Sequence, residues 1–152
     1  MADILIATDA ESVFDDLSSV LTSPDTTVRW VRSGPAVRDA LNARPADLAV
    51  VDMQIGTMGG VAVALDVRLE QDAGRLDACR LLLVLDRRAD VFLARRSGVD
   101  GWLVKPLDPM RIRRAVASIL GGEPWYDPSY LPNPVAAPFG ERGAGGASVP
   151  VG

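Results

Sequence analysis

The chain has 152 residues, of which 48% are hydrophobic and 24% are charged, a balance typical of one globular domain with its own core. Its net charge of −4 provides no general attraction to nucleic acid or to an anionic membrane, so we do not expect DNA binding. No apolar stretch approaches the roughly 20 residues needed to span a bilayer, so we do not expect direct membrane insertion. It has no histidine and one cysteine, which excludes Ser-His-Asp and Cys-His catalysis, an internal disulfide and an ordinary structural zinc site.

The first half of the chain alternates between apolar strands and amphipathic helices. Residues 3–8, DILIAT, predict a short buried strand, and residues 9–23 after it have apolar side chains at helical spacing. A β-branched, alternating stretch at 26–32 predicts a second strand. Residues 33–44 predict a helix, because they open with a serine cap and an early proline. Residues 47–52, DLAVVD, predict a third strand that ends on an acid.

The second half repeats the alternation. Residues 61–71 predict a helix, and 80–86, RLLLVLD, predict a fourth strand that again ends on an acid. Residues 89–98 predict a helix that stops at a glycine, and 100–105 predict the fifth strand. Residues 108–120 open with Asp-Pro and predict the last helix. Strands that are continuously apolar indicate a parallel sheet covered on both faces, so we expect a doubly wound, five-stranded α/β fold.

The polar residues that follow the predicted strands are expected to meet at one edge of this sheet, because parallel strands share a carboxyl end. They are Asp9, Asp52, Asp86 and Lys105, the only lysine among 16 basic residues. Carboxylates with one lysine suggest a divalent cation held by oxygens, with the lysine as counter-ion. The alternative is a lysine that only neutralises an acidic cluster. Either role suits a compact ammonium better than a wide guanidinium fork.

Several spaced motifs in residues 2–120 agree with one family. The order of strands, the Asp that ends the third strand, M-x-G at 58–60 and VKP at 104–106 together resemble a bacterial response-regulator receiver domain, which is CheY-like (flavodoxin-like) in fold. The resemblance implies that Asp52 is the phospho-acceptor and that Lys105 pairs with the phosphoryl group.

The resemblance also implies a cofactor and an unusual peptide bond. Asp9, Asp52 and the backbone carbonyl of Gln54 would hold Mg²⁺. The bond between Lys105 and Pro106 would be cis, an uncommon geometry that holds the lysine at the site.

Six positions depart from the family pattern: Thr8, Gly56, Gly59, Asp86, Arg87 and Trp102. Thr8 replaces the first acid of the usual acidic pair, Asp86 replaces the switch hydroxyl after strand four, and Trp102 replaces the usual Tyr or Phe on strand five. Asp86 is the most consequential, because a carboxylate repels a phosphoryl group to which a hydroxyl would donate a hydrogen bond. We also expect Trp102 to be too large to swing as a smaller aromatic ring does.

Residues 121–152 differ in composition from the rest of the chain, with 13 Gly or Pro in 32 residues, which cannot form a core. We therefore divide the chain into a receiver domain at 1–120 and an extended tail at 121–152. We expect residues 121–140 to have no helix or strand of their own and to be ordered only against a partner. The candidate anchors for that partner are Trp125, Tyr126, Tyr130, Leu131 and Phe139.

Two functions remain open. The first is an atypical receiver that docks on a larger assembly through its tail, and the pattern is similar to the orphan receiver-like proteins that accompany actinobacterial respiratory complex I. The second is a single-domain response regulator that a histidine kinase phosphorylates at Asp52. We expect no enzymatic activity on a separate substrate. We expect a cytoplasmic location, which under the first reading becomes peripheral to the inner face of the plasma membrane through the partner.

Overall fold

The computed structural model of the protein describes residues 1–128 and shows a parallel sheet with helices on both faces. The strands are β1 (Ala2–Ala7), β2 (Thr26–Val31), β3 (Leu48–Asp52), β4 (Arg80–Leu85), β5 (Gly101–Val104) and β6 (Trp125–Tyr126). The helices are α1 (Glu11–Leu21), α2 (Gly34–Ala43), α3 (Gly60–Asp72), α4 (Val91–Arg96, preceded by a 3₁₀ turn at Arg88–Asp90) and α5 (Pro109–Leu120).

The strand order is β2-β1-β3-β4-β5-β6, and every neighbouring pair is parallel. This confirms the predicted fold class, although the sheet has six strands where five were predicted. From β1 the chain adds β2 on one side and β3 on the other. The carboxyl ends of β1 and β3 therefore flank the point where the winding direction reverses, which is the usual place for a site in such a sheet.

Continuously apolar strands supply a core on each face of the sheet. All five residues of β3 are buried. Successive side chains point to opposite faces, so Val50 packs in the cluster that contains residues of α1 and α5, whereas Val51 packs in the cluster that contains residues of α2 and α3. Burial on both faces explains why the strands read as apolar runs rather than as alternating patterns.

Two predicted helix starts are confirmed by their caps. The hydroxyl of Ser33 accepts a hydrogen bond from the backbone N–H of Ala36, and the carboxylate of Asp108 accepts one from the N–H of Arg111. The longest described helix, α3, has 13 residues. Within residues 1–128 no helix is both long enough and apolar enough to cross a membrane.

The prediction that residues after 120 would form no strand is wrong for β6. Trp125 pairs with Gly101 and Tyr126 with Trp102, so this short segment extends the domain's own sheet. The prolines at 124 and 128 flank β6 and do not interrupt it, which leaves two residues free to pair with the edge of β5. The sequence pattern could not reveal this pairing, because it depends on an open edge that exists only in the folded sheet.

Gly101 is the position that admits β6. A Cβ built on Gly101 would lie 2.1 Å from the carbonyl oxygen of Trp125, a distance that no real contact reaches. We therefore expect Gly101→Ala to displace β6 and to lower the free energy of unfolding by about 1–3 kcal/mol, as overpacking does. Chemical denaturation and amide exchange of β5 measure both effects. Gly121→Ala is the matched control, since its φ of −80° suits alanine and its nearest contact is 3.2 Å. Equal exchange in the two variants would contradict the expectation.

Candidate functional site

The side chains that follow β1, β3, β4 and β5 lie at the carboxyl edge of the sheet, as predicted. Lys105 links two of them: its Nζ lies 3.1 Å from Oδ1 of Asp52 and 2.7 Å from Oδ1 of Asp86. The peptide bond between Lys105 and Pro106 is cis, as the sequence resemblance implied. The predicted convergence of Lys105 on both acids is therefore confirmed.

Lys105 is a partly buried cation, with 26% of its side chain exposed. Burial works to lower the pKa of its ammonium group, but hydrogen bonds to Asp86 and Asp52 outweigh that effect and raise the pKa above its usual value. Lys105 is therefore a fixed positive charge at neutral pH, held between two carboxylates.

Asp52 is almost wholly buried, with 2% of the residue exposed, and donors from the chain bind both of its oxygens. Oδ2 accepts a hydrogen bond of 2.7 Å from the hydroxyl of Thr8. Oδ1 accepts one from Lys105 and another, 3.3 Å long, from the backbone N–H of Gln54. Thr8 therefore supplies a neutral donor where the family pattern has an acid, and this reduces the negative charge around Asp52.

Asp9 lies at the same edge but bonds elsewhere. It is exposed, and its Oδ2 accepts a hydrogen bond of 2.9 Å from the backbone N–H of Gly56, in the loop after β3. Across residues 1–128, no group of three or more acidic, histidine or cysteine side chains lies close enough to hold a metal ion. The expected Mg²⁺ ligands Asp9, Asp52 and Gln54 fit the ion in kind, because two carboxylates and a carbonyl are the hard oxygen donors it prefers.

The loop from Met53 to Gly59 returns close to the backbone of Asp52, and Gly60 makes this possible. A Cβ on Gly60 would lie 2.6 Å from the carbonyl oxygen of Asp52. The N–H of Gly60 donates to the carbonyl of Met53 at 2.9 Å, which closes the loop onto the start of α3. The glycine of the M-x-G motif is therefore required by a close approach of two backbone segments at the site.

Trp102, at the predicted switch position, is packed in place. It is 3% exposed, and its ring centroid lies 4.4 Å from that of Tyr126 on β6. The guanidinium of Arg95 lies 5.9 Å from the Trp102 ring on α4's side. Tyr126 is itself 47% exposed, so it covers Trp102 and presents its other side to solvent.

The predicted partner anchors fall into two groups. Trp125 and Tyr126 belong to β6 and contact the domain itself. Tyr130, Leu131 and Phe139 lie outside the described residues. Their predicted binding role stays a prediction for all five.

Sequence reasoning missed one pair of residues near the site, Asp127 and Arg111. Asp127 is fully buried and forms an ion pair with Arg111 of α5, and its Oδ2 also accepts a 2.8 Å hydrogen bond from the N–H of Val104. In the sequence, Asp127 is a single acid between two aromatic residues and a proline, a pattern that is also typical of a solvated tail. Only the position of β6 shows that this acid is buried.

A parallel sheet with an acid and a lysine in contact at its carboxyl edge is the arrangement that the sequence resemblance implied, and the sequence comparison identifies the class of domain. Residues 4–117 match the family model of the response regulator receiver domain, so the chain belongs to that family.

Known proteins similar to this chain carry related names. Response regulator protein PmrA of Pseudomonas aeruginosa is 30% identical over 138 residues, which cover 83% of this chain and 61% of PmrA. An uncharacterized response regulatory protein of Mycobacterium tuberculosis is 33% identical over 98 residues, which cover 64% of this chain and 70% of that protein. This chain therefore spans less than two thirds of PmrA's length.

The fold is shared with solved structures. A two-component response regulator of the LuxR family from Aurantimonas sp. SI85-9A1 superposes with a TM-score of 0.74 at 20% identity, covering 86% of this chain and 92% of that one. At this identity the likeness establishes the fold alone.

Proposed function

We propose that this protein is a receiver module of two-component signalling in which Asp52 accepts a phosphoryl group from a histidine kinase. One observation carries the proposal: Asp52 is buried at the end of β3 with the ammonium of Lys105 3.1 Å from Oδ1. Membership of the receiver family and the response-regulator names of the relatives support it.

In this reaction a phosphoryl group moves from an oxygen or nitrogen atom of the donor to an oxygen atom of Asp52. Oδ1 of Asp52 forms the new bond to phosphorus, while the bond from phosphorus to the donor breaks and its electron pair leaves with the donor. We assign the reaction to Oδ1 because it lies beside Lys105; it accepts hydrogen bonds from Lys105 and from the N–H of Gln54, whereas Oδ2 accepts one from Thr8. The ammonium of Lys105 then pairs with a phosphoryl oxygen. Mg²⁺, held by Asp9, Asp52 and Gln54, would supply further positive charge to the transferring group.

Asp86 opposes this reaction in the resting protein. Its carboxylate forms the shorter of the two bonds to Lys105, 2.7 Å against 3.1 Å for Asp52. An incoming phosphoryl group must therefore compete with Asp86 for the ammonium and also meets its negative charge. We propose that this competition keeps the phosphorylated fraction of the wild-type protein small.

The direct test is the mass of the intact protein after incubation with acetyl phosphate and Mg²⁺. We expect an adduct of one phosphoryl group on the wild type, located at Asp52 by peptide mapping, and no adduct on Asp52→Asn, which keeps the shape but removes the nucleophile. Omission of Mg²⁺ should reduce the yield. If neither the wild type nor Asp86→Thr forms an adduct on Asp52, the proposal is wrong.

A second candidate function is docking on a larger assembly, independent of phosphorylation. The observation that favours it is that both oxygens of Asp52 already have protein donors, so the site is satisfied without phosphate or metal. Respiratory complex I is the assembly suggested by the sequence resemblance, and it stays a prediction. Capture from native membranes by the full chain and by a 1–128 truncation would distinguish the candidates, because tail-mediated docking requires the full chain.

A further inference from the structure

The outer edge of β5 is completed by side chains where strand β6 stops. Gly101 and Trp102 pair with β6, and within residues 1–128 the pairing extends no further along β5. Val104 lies beyond this point, and its two backbone groups are bound by side chains. Its N–H donates to Oδ2 of Asp127 at 2.8 Å, and its carbonyl accepts from Nη1 of Arg111 at 3.1 Å.

Asp127 and Arg111 therefore act together in place of the next residue of a strand. They form an ion pair with each other, and the carboxylate of Asp127 is fully buried. Arg111 also donates to the carbonyl of Pro106 and to Oδ2 of Asp108, the latter at 2.5 Å. The guanidinium fork suits this arrangement, because it presents several donors in one rigid plane.

The bonds of this pair fall on the residues immediately before and after Lys105. Val104 is held by Asp127 and Arg111, and Pro106 is held by Arg111. Lys105 itself faces the other way: its N–H donates to the carbonyl of Leu85 in β4 at 2.9 Å. The backbone that carries the ammonium is thus fixed from both sides of β5.

We propose that Asp127 and Arg111 are positioning residues for Lys105, holding its ammonium at the point between Asp52 and Asp86 where it meets the phosphoryl group. This inference rests on the proposed function of Asp52. Asp127 lies outside the residues 4–117 that match the receiver family model. A charged group displaced slightly from its reacting partner loses much of its contribution to the reaction. By fixing the position of the Lys105 ammonium, Asp127 and Arg111 would therefore affect phosphorylation of Asp52.

Lys105 is the only lysine of the chain, which makes the test specific. Labelling with ¹⁵N- and ¹³C-lysine yields one side-chain ammonium signal, and acylation with an N-hydroxysuccinimide ester of acetic acid modifies one lysine, distinguished from the N-terminus by peptide mapping. In Asp127→Asn we expect the Lys105 signal to shift, its acylation to accelerate about fivefold, and the Asp52 adduct formed with acetyl phosphate to fall by a similar factor. Glu123→Gln is the matched control, an exposed acid of the same segment.

The results distinguish a role of Asp127 in positioning Lys105 from a role only in holding β6 against the sheet. If Asp127→Asn lowers the thermal midpoint but leaves the Lys105 signal and acylation rate unchanged, the inference is overturned. If Asp127→Asn does not fold, Arg111→Gln carries the test, because one amide cannot hold Val104, Pro106 and Asp127 together and the substitution adds no second lysine. An unchanged Lys105 signal in that variant also overturns the inference. A shifted signal together with no Asp52 adduct in either the wild type or Asp86→Thr supports positioning and rejects the proposed function instead.

Discussion

Replacing Arg111 by methionine should lower the free energy of unfolding by about 3 kcal/mol, the largest stability effect we expect from a single substitution at the edge of the sheet. Methionine preserves most of the apolar stem and removes the charge. The carboxylate of Asp127, fully buried, is then left without its ion-pair partner. Arg111 also holds the carbonyls of Val104 and Pro106, which lose a donor in the same variant.

The part of this loss that comes from Asp127 has an upper limit set by β6. If its carboxylate is too unfavourable without Arg111, Asp127 can regain water by detaching Trp125 and Tyr126 from β5, so this part cannot exceed the free energy that holds the short strand. Chemical denaturation of Arg111→Met measures the loss, and Arg113→Met, an exposed arginine of the same helix, is the control.

A double variant identifies the source of the loss. Asp127→Leu in the Arg111→Met background removes the charge that Arg111 balanced, and an apolar pair in place of a buried ion pair is often close to neutral. We therefore expect the double variant to be more stable than Arg111→Met. A single variant that loses less than about 1 kcal/mol would show that the buried pair contributes little to stability.

Asp86→Thr should raise the phosphorylated fraction of Asp52 about five- to tenfold. The substitution removes a negative charge that competes for Lys105 at 2.7 Å, and it supplies a hydroxyl that can donate to a phosphoryl oxygen. Asp86 is 29% exposed, so solvent screens its repulsion in part, and relief of about 1 kcal/mol is the appropriate scale. Intact mass after incubation with acetyl phosphate and Mg²⁺ measures the fraction.

Two further variants show how much of the Asp86→Thr effect comes from the lost charge and how much from the new hydroxyl. Asp86→Asn removes the charge but has no hydroxyl, so a yield between those of the wild type and Asp86→Thr would separate repulsion from donation. Asp15→Asn, an exposed acid of α1, controls for the change in net charge. Equal yields from the wild type and Asp86→Thr would show that Asp86 is not the obstacle to phosphorylation.

Local patterns were sufficient to predict the central part of the fold and its acidic edge. Apolar runs such as LAVVD and RLLLVL determine which segments can be buried on both faces, and burial on both faces requires a parallel sheet with helical crossovers. Once the sheet is parallel, the residues after its strands must lie at one edge. That is why the meeting of Asp52, Asp86 and Lys105 followed from the sequence.

The parts that could not be predicted depend on tertiary contacts rather than on local pattern. Asp9 was expected to lie with Asp52. Its carboxylate instead accepts a hydrogen bond from the backbone N–H of Gly56, and this contact depends on the conformation of the loop after β3. Thr8 was interpreted as a lost acid, and its hydrogen bond to Asp52 depends on the spacing of β1 and β3. Strand β6 and the burial of Asp127 depend on an edge of β5 that no local sequence signal describes.

The direction of β6 determines where the polypeptide leaves the domain. Because β6 runs parallel to β5, residue 128 lies at the end of the sheet that holds Asp52, whereas β1 begins with Ala2 at the opposite end, about 20 Å away for strands of this length. A reporter protein or affinity tag joined before Met1 is therefore remote from Asp52. Residue 128 lies at the same edge of the sheet as Asp52, three strands away, so a fusion joined directly after residue 128 would be placed at the edge that holds the site.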